Sequence, residues 1–368
     1  MLFYLTNSLI ANSGDEDYLS IRRCIKKLAT AVTEHKHLLL GDFEAIHYFN
    51  EIMKNPDEDE SRLFNMLEQN EAINPIPDEI TYYIEVVRGE PSQARKEGNV
   101  TIAQVSYKMF EDTASCDQTA LLCEDDYDCT FFKHIFKWYK ENVCTTRLSN
   151  SLESTLGAGG HIVTEINKMK RKKRACLAII DSDKKYPTHN PGNETTYKKC
   201  LGIKESSIYK LLVLNVQEVE NLIPIEYINQ HQFFGDGIIN KKHFDTLLNN
   251  NHTEYILQYL DLKKGVKKKD VADDANYQTF VSFCYFHNTL VNQGLSFNEF
   301  LLSIENNDFI QKPLQESILK NVLDEIKKRE KLGVNHLPYL MNFQEDEWKK
   351  IGQYMLNWGC AIGKESLL

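Results

Sequence analysis

ACLAIIDSD, residues 175–183, is the stretch whose reading settles the fold class: six apolar residues run without interruption into Asp181-Ser182-Asp183. A short continuous apolar run that stops at charge is the pattern of a strand buried on both faces, as parallel sheets require. Upstream lie a strand over 119–123, the acids Glu124, Asp125, Asp126 and Asp128, a helix over 130–142, a short strand, the turn Gly157-Ala158-Gly159-Gly160 and a helix over 161–172. Downstream come a polar loop with Pro187, Pro191 and Gly192, a strand over 210–215, and then Glu218-Val219-Glu220. Alternating strands and helices predict an α/β domain with a mostly parallel sheet over residues 116–225. Each acidic group follows a strand, and open α/β sheets bind ligands beyond the carboxyl ends of their strands.

The flanks read differently. Residues 1–115 open with an apolar strand over 2–5 and a helix from Tyr18 whose apolar Ile21, Ile25, Leu28 and Val32 recur at spacings of three and four. A short helix over 61–68 and a β-branched, aromatic strand over 80–88 follow, so this is an N-terminal α/β region. Its acids Asp42, Glu44 and Glu51 read as a solvated face. Residues 226–368 carry amphipathic runs at 241–260, 278–292, 313–331 and 346–358 and read as a helical C-terminal domain.

The bulk properties exclude several classes. No apolar run approaches the roughly 20 residues a membrane span needs. The start lacks the basic flank and cleavage site of a signal peptide, so a cytoplasmic location is expected. The nine cysteines form no Cys-x-x-Cys pair and no zinc spacing. A formal charge of −10 argues against binding nucleic acid by bulk electrostatics. Contact would need metal or the local basic runs at 168–174 (KMKRKKR) and 263–269 (KKGVKKK). The first of these reads better as the solvated polar face of its helix, and the second reads equally as a solvated, lysine-rich loop.

Clustered carboxylates repel one another unless a cation neutralises them, and Mg²⁺ (or Mn²⁺) matches their hard oxygen donors. Two ions about 4 Å apart would polarise a phosphate, generate hydroxide and stabilise the leaving oxygen of an in-line displacement. The candidate ligands are Glu124, Asp128, Asp181, Asp183, Glu218 and Glu220. Glu220 has a competing reading as the cap of a helix starting near Leu222.

This order of motifs resembles the Toprim domain: a strand ending in Glu124 with Asp128 four residues on, the Gly159-Gly160 turn, Asp181-x-Asp183, and Glu220-Asn221. It is most similar to the OLD-type branch of bacterial anti-phage defence nucleases. One departure is that Asp125 stands where the family usually has Gly. The resemblance spans about 105 residues and implies a Mg²⁺-dependent endonuclease, with Glu124, Asp181 and Asp183 catalytic. It also implies a lysine beyond the core to meet charge on the phosphate. Lys263 or Lys264 fits that role, with Lys184 as a rival. No G-x-x-x-x-G-K-[ST] motif occurs, so a separate ATPase or sensor subunit is an expected partner, beside nucleic acid (DNA or tRNA) and a second copy of the chain. The alternative is a catalytically inactive Toprim-like scaffold or sensor.

Overall fold

The structure, a computed structural model, describes residues 1–55, 57–69, 76–157, 161–228, 253–285, 294–333 and 338–363. By their internal contacts two compact units divide the chain: Met1–Ile179 with Ile203–Leu212 and Lys349–Leu368, and Ile180–Gly202 with Val213–Trp348.

The first unit contains a five-stranded sheet built from β1 (Leu2–Leu5), β2 (Leu38–Gly41), β3 (Tyr82–Val87), β4 (Arg95–Glu97) and β5 (Val100–Ser106), in the order β2-β1-β3-β5-β4. The first four positions in that order are parallel, and β4 closes the edge antiparallel to β5. The crossover helix α1 (Tyr18–Thr33) buries Ile21, Cys24, Ile25, Leu28 and Val32, the stripe its spacing anticipates. Helices α2 (Phe43–Ile52) and α3 (Asp59–Gln69) follow β2. The strands β2, β4 and β5 escaped the sequence reading. A three-leucine strand is too short for periodicity to register, and β4 is Arg-Lys-Glu, all exposed. That charge suits an edge, where it discourages pairing with another chain. Arg95 also reaches in to clamp the mostly buried Glu85 at 2.8 and 2.7 Å, with Gln104 Nε2 donating to the same carboxylate at 2.9 Å.

A four-stranded sheet is built from β6 (Ala120–Cys123), β8 (Glu153–Leu156), β9 (Cys176–Ile180) and β10 (Tyr209–Val213), in the order β10-β9-β6-β8. The short strand β7 (Ser149–Asn150) pairs instead with Cys360–Ala361. Strand β6 is parallel to both β8 and β9. Cys176 N–H donates to the Ile208 carbonyl and Leu214 N–H to the Ile180 carbonyl, which is parallel register for β9 with β10. Every residue of β6 and β9 is buried, as their unbroken apolar runs demand. The helices α4 (Asp126–Asn142) and α5 (Ile162–Arg171) make the crossovers. Gly157 donates its N–H to the Cys123 carbonyl at 2.7 Å, and a Cβ there would stand 2.6 Å from that oxygen. Only glycine lets β8 run so close beside the end of β6. Gly159 and Gly160 lie outside the described residues.

The chain is thus an α/β protein with a parallel sheet where one was expected. The second unit holds helix α6 (Thr196–Leu201) and the helices Thr253–Leu257, Lys268–Ala272, Ala275–Tyr285, Phe297–Ser303 and Ile318–Lys331. The expected helical runs extend at 241–252 and 286–292 beyond the described residues. A strand pair not expected in this part, β11 (Val266–Lys267) with β12 (Phe309–Gln311), runs antiparallel. No helix among the described residues is long and apolar enough to cross a membrane.

Phe3, on β1 between β2 and β3, is fully buried, edge-on to Phe110 at 5.3 Å and His37 at 5.1 Å. Phe3→Ala should therefore cost about 3–5 kcal/mol in urea unfolding. Lys96→Ala on the exposed edge strand should stay within about 0.5 kcal/mol. Equal effects would place the core elsewhere.

Candidate metal centre

Strand β9 delivers Asp181, Ser182 and Asp183 in succession. Ser182 turns inward and donates its hydroxyl to the Val216 carbonyl at 2.5 Å, leaving the two aspartates to flank a buried pivot. Asp181 Oδ1 accepts the Val219 N–H at 2.9 Å. Asp183 sits in the left-handed region, φ 56°, where few non-glycine residues go and Asp is tolerated best. Its N–H donates to the Gln217 carbonyl at 3.1 Å and its Oδ2 accepts the Tyr197 N–H of α6 at 3.4 Å. Burial pushes the Asp183 carboxyl above the ordinary aspartate range, against the pull of the Tyr197 N–H, Lys264, His189 and Lys263. The following loop is anchored by Tyr186, whose hydroxyl donates to both Asp274 oxygens at 3.2 and 3.0 Å and whose ring stacks on Tyr277 at 6.0 Å.

The segment after β10 supplies the other acids five and seven residues past the strand, after a loop rather than directly at its end. Glu218 is the N-cap residue of a 3₁₀ turn, Val219–Leu222: its backbone carbonyl accepts the Asn221 N–H at 3.0 Å, and Asn221 Oδ1 accepts the Glu218 N–H at 2.8 Å. The cap is thus Glu218 rather than Glu220, and the turn begins at Val219 rather than near Leu222. Asn221 then donates through Nδ2 to the carbonyls of Leu257 and Leu260, at 2.6 and 2.8 Å. Gln217 N–H adds a bond to the Gln258 carbonyl at 2.9 Å. From the other side Gln344 Nε2 holds the carbonyls of Asn221 and Ile223 at 3.1 and 2.9 Å, and Trp348 Nε1 holds that of Leu222 at 3.1 Å.

These tethers carry the 257–265 segment to the carboxylates. Asp261 Oδ1 accepts the Lys264 N–H at 2.6 Å and the Asp261 carbonyl accepts the Gly265 N–H, closing a tight turn. Gly265 has φ 69°, and a Cβ there would stand 2.4 Å from the Gln311 carbonyl oxygen. The turn aims Lys263 inward: its Nζ lies 3.2 Å from Glu220 Oε2 and 3.4 Å from Glu218 Oε2. Both oxygens are shut off from solvent, and beyond this ion pair neither accepts a hydrogen bond. Burial, then Asp261, pushes the Glu218 carboxyl up to about 7, with Lys263 opposing. Burial alone would lower the Lys263 pKa, but Glu220, Glu218 and Asp181 together outweigh it and hold the ammonium above the ordinary lysine range.

The second unit therefore gathers Asp181, Asp183, Glu218, Glu220 and Lys263. Lys264, the alternative amine, is exposed. Lys184 N–H donates to Ser182 Oγ at 3.3 Å. Glu124 and Asp128 belong to the first unit. Glu124 is half-buried after β6, and Asp128 Oδ2 accepts the Asp125 N–H at 2.9 Å while Asp125 Oδ1 accepts the Tyr127 N–H. Asp125 and Asp128 thus form the capping box of α4. An extended cap at φ −129° needs no glycine, which accounts for the residue found there. The sequence reading missed Asp261, although it stands two residues before the lysine-bearing run 263–269. It also missed the Tyr186–Asp274 and Gln344 anchors, which carry no local signal.

All-carboxylate donors suit Mg²⁺ or Mn²⁺ in kind, and the buried oxygens of Glu218 and Glu220, which have no hydrogen-bond partner besides the Lys263 ion pair, supply two of them. Among the described residues, though, no group of three or more Asp, Glu, His or Cys stands ready to hold an ion; Lys263 occupies the place where two carboxylates converge. No family model, curated protein or solved structure matches this chain.

Two measurements probe this geometry. Gly265→Ala should destabilise the protein by about 2 kcal/mol or more, since alanine there must adopt a positive φ against a backbone oxygen; no change in the urea midpoint would contradict the turn. Because the Glu218 carboxyl titrates higher folded than unfolded, its contribution is complete below about pH 4.3 and fades as pH rises through about 7. In EDTA, wild-type stability should thus fall by up to about 3 kcal/mol over that interval relative to Glu218→Gln.

Proposed function

We propose that the second unit binds Mg²⁺ or Mn²⁺ through Asp181, Glu218 and Glu220, with Asp183 beside them, and that the chain hydrolyses nucleic-acid phosphodiesters. The observation that carries this reading is the pair of buried carboxylate oxygens, Glu218 Oε2 and Glu220 Oε2, converging on a single cationic point past the ends of parallel strands. Keeping such a pair buried and ionised costs several kcal/mol without a cation, so proteins retain it where a cation is useful. The bound ion would supply Lewis-acid polarisation of the phosphate. The chain's own part is to position that charge and offset the repulsion between phosphate and carboxylates. The Val219 N–H orients Asp181, and Lys263 offers its ammonium to the phosphate oxygens. The resemblance to OLD-type Toprim nucleases supports the substrate class, a cytoplasmic anti-phage role and an activating ATPase partner.

A second reading, an inactive Toprim-like scaffold that binds nucleic acid or a partner, is favoured by one observation: no three-carboxylate group stands preassembled among the described residues. Cleavage of plasmid DNA and total tRNA with Mg²⁺ or Mn²⁺ separates the two. The nuclease reading expects ion-dependent cutting that falls about 100-fold or more in Asp181→Ala, since Lewis-acid stabilisation is worth several kcal/mol. Cutting that persists unchanged in Asp181→Ala, or a protein that binds Mn²⁺ and cuts neither substrate even with cell extract added, would favour the scaffold.

A further inference from the structure

Among the described residues, Lys263 is unusual for a lysine in facing two buried carboxylate oxygens that have no other hydrogen-bond partner. Most lysine ion pairs here, such as Lys26–Glu58 and Lys54–Glu51, are exposed and worth little. The Lys263 side chain is three-quarters buried, and Glu220 is almost wholly so. Four devices bring it there: the Asn221 tethers to Leu257 and Leu260, the Asp261 turn, the positive φ of Gly265, and the Leu314 N–H bond to the Leu262 carbonyl at 2.9 Å. A backbone so constrained does not place one ammonium by chance.

We propose that Lys263 is an internal substitute for the divalent ion: in the ion-free protein its ammonium holds the place between Glu218 and Glu220, and a divalent ion can bind only by displacing it. The inference rests on the cation-binding part of the reading above. An ammonium and a Mg²⁺ ion cannot share the same two carboxylate oxygens at close range, because two cations would then face each other with little water between them. With the lysine in place, the two carboxylates neither repel each other apart nor open the segment, so the ion-free protein keeps its fold. Displacement swings the ammonium outward on its flexible stem, toward the side from which a polyanion must approach. Ion binding would then both fill the site and free the positive charge that a phosphate requires. The carboxylates would remain unassembled until the lysine leaves, consistent with the lack of a ready three-acid group among the described residues.

The test needs no catalysis. Mn²⁺ would be titrated calorimetrically into wild type, Lys263→Met, Lys263→Gln and, as a control for net charge, the exposed Lys269→Met. In parallel, acetylation of Lys263 by acetic anhydride would be followed by peptide mass spectrometry with and without saturating Mn²⁺. We expect both Lys263 variants to bind Mn²⁺ at least tenfold more tightly than wild type, Lys269→Met to stay within twofold, and Lys263 labelling to rise severalfold when Mn²⁺ is added. Variants that bind like wild type, or labelling that does not change on saturation, overturn the displacement while leaving the cation site standing. Absence of Mn²⁺ binding in wild type and in both folded Lys263 variants overturns the cation site and the displacement together. Binding with displacement but without cleavage of nucleic acid supports this inference and counts only against the nuclease reading.

Discussion

Two carboxylates cannot be shut away from water next to each other and stay ionised unless a cation lies between them. That constraint organises the second unit around Glu218, Glu220 and Lys263. Given the two acids, a positive charge must be delivered to within about 3–4 Å, and the chain does so from a segment some forty residues away. Asn221 is the hinge of the arrangement. It closes the capping turn that sets the acids and reaches across to fasten the segment that bears the lysine. One side chain thereby couples the position of the anions to that of the cation.

The same economy governs Asp181-Ser182-Asp183. Alternation along a strand end would point the two aspartates to one side, and in the structure three hydrogen bonds fasten the segment that carries them. These are Ser182 Oγ to Val216, the Val219 N–H to Asp181, and the Asp183 N–H to Gln217. The left-handed conformation of Asp183 costs about 1–2 kcal/mol in an L-residue. Strain of that kind persists only where neighbouring contacts over-determine it, and such places are commonly sites of function. An acidic chain of net charge −10 has no general attraction for a polyanion, so any phosphate it handles must be met by charges placed one at a time.

In the first unit the controlling fact is simpler. Strands buried on both faces must be apolar throughout, and that is what β6 and β9 are. Elements with a long apolar run or a clear stripe were readable for this reason: β1, α1, β6, α5 and β9. The strands β2 and β4 were not. One is three leucines and a glycine, and the other is a charged ribbon whose only reason to be a strand is the neighbour it pairs with.

The sequence by itself determined the α/β class and the parallel sheet and named Asp181, Asp183, Glu218 and Glu220 among its candidate acids, because apolar periodicity and strand-end charge are local properties that leave a mark in every short window. It could name Lys263 and Lys264 as candidates but had no means to choose between them, and the capping role it weighed for Glu220 falls at Glu218, where the turn starts. Those matters rest on distance between residues far apart in the chain. The inward aim of Lys263 comes from Asn221, Asp261 and the crowded Gly265 turn, and the neutralisation of Glu218 and Glu220 comes from that aim. Coulomb energy depends on separation in space and on exclusion of water, and only the tertiary structure specifies either.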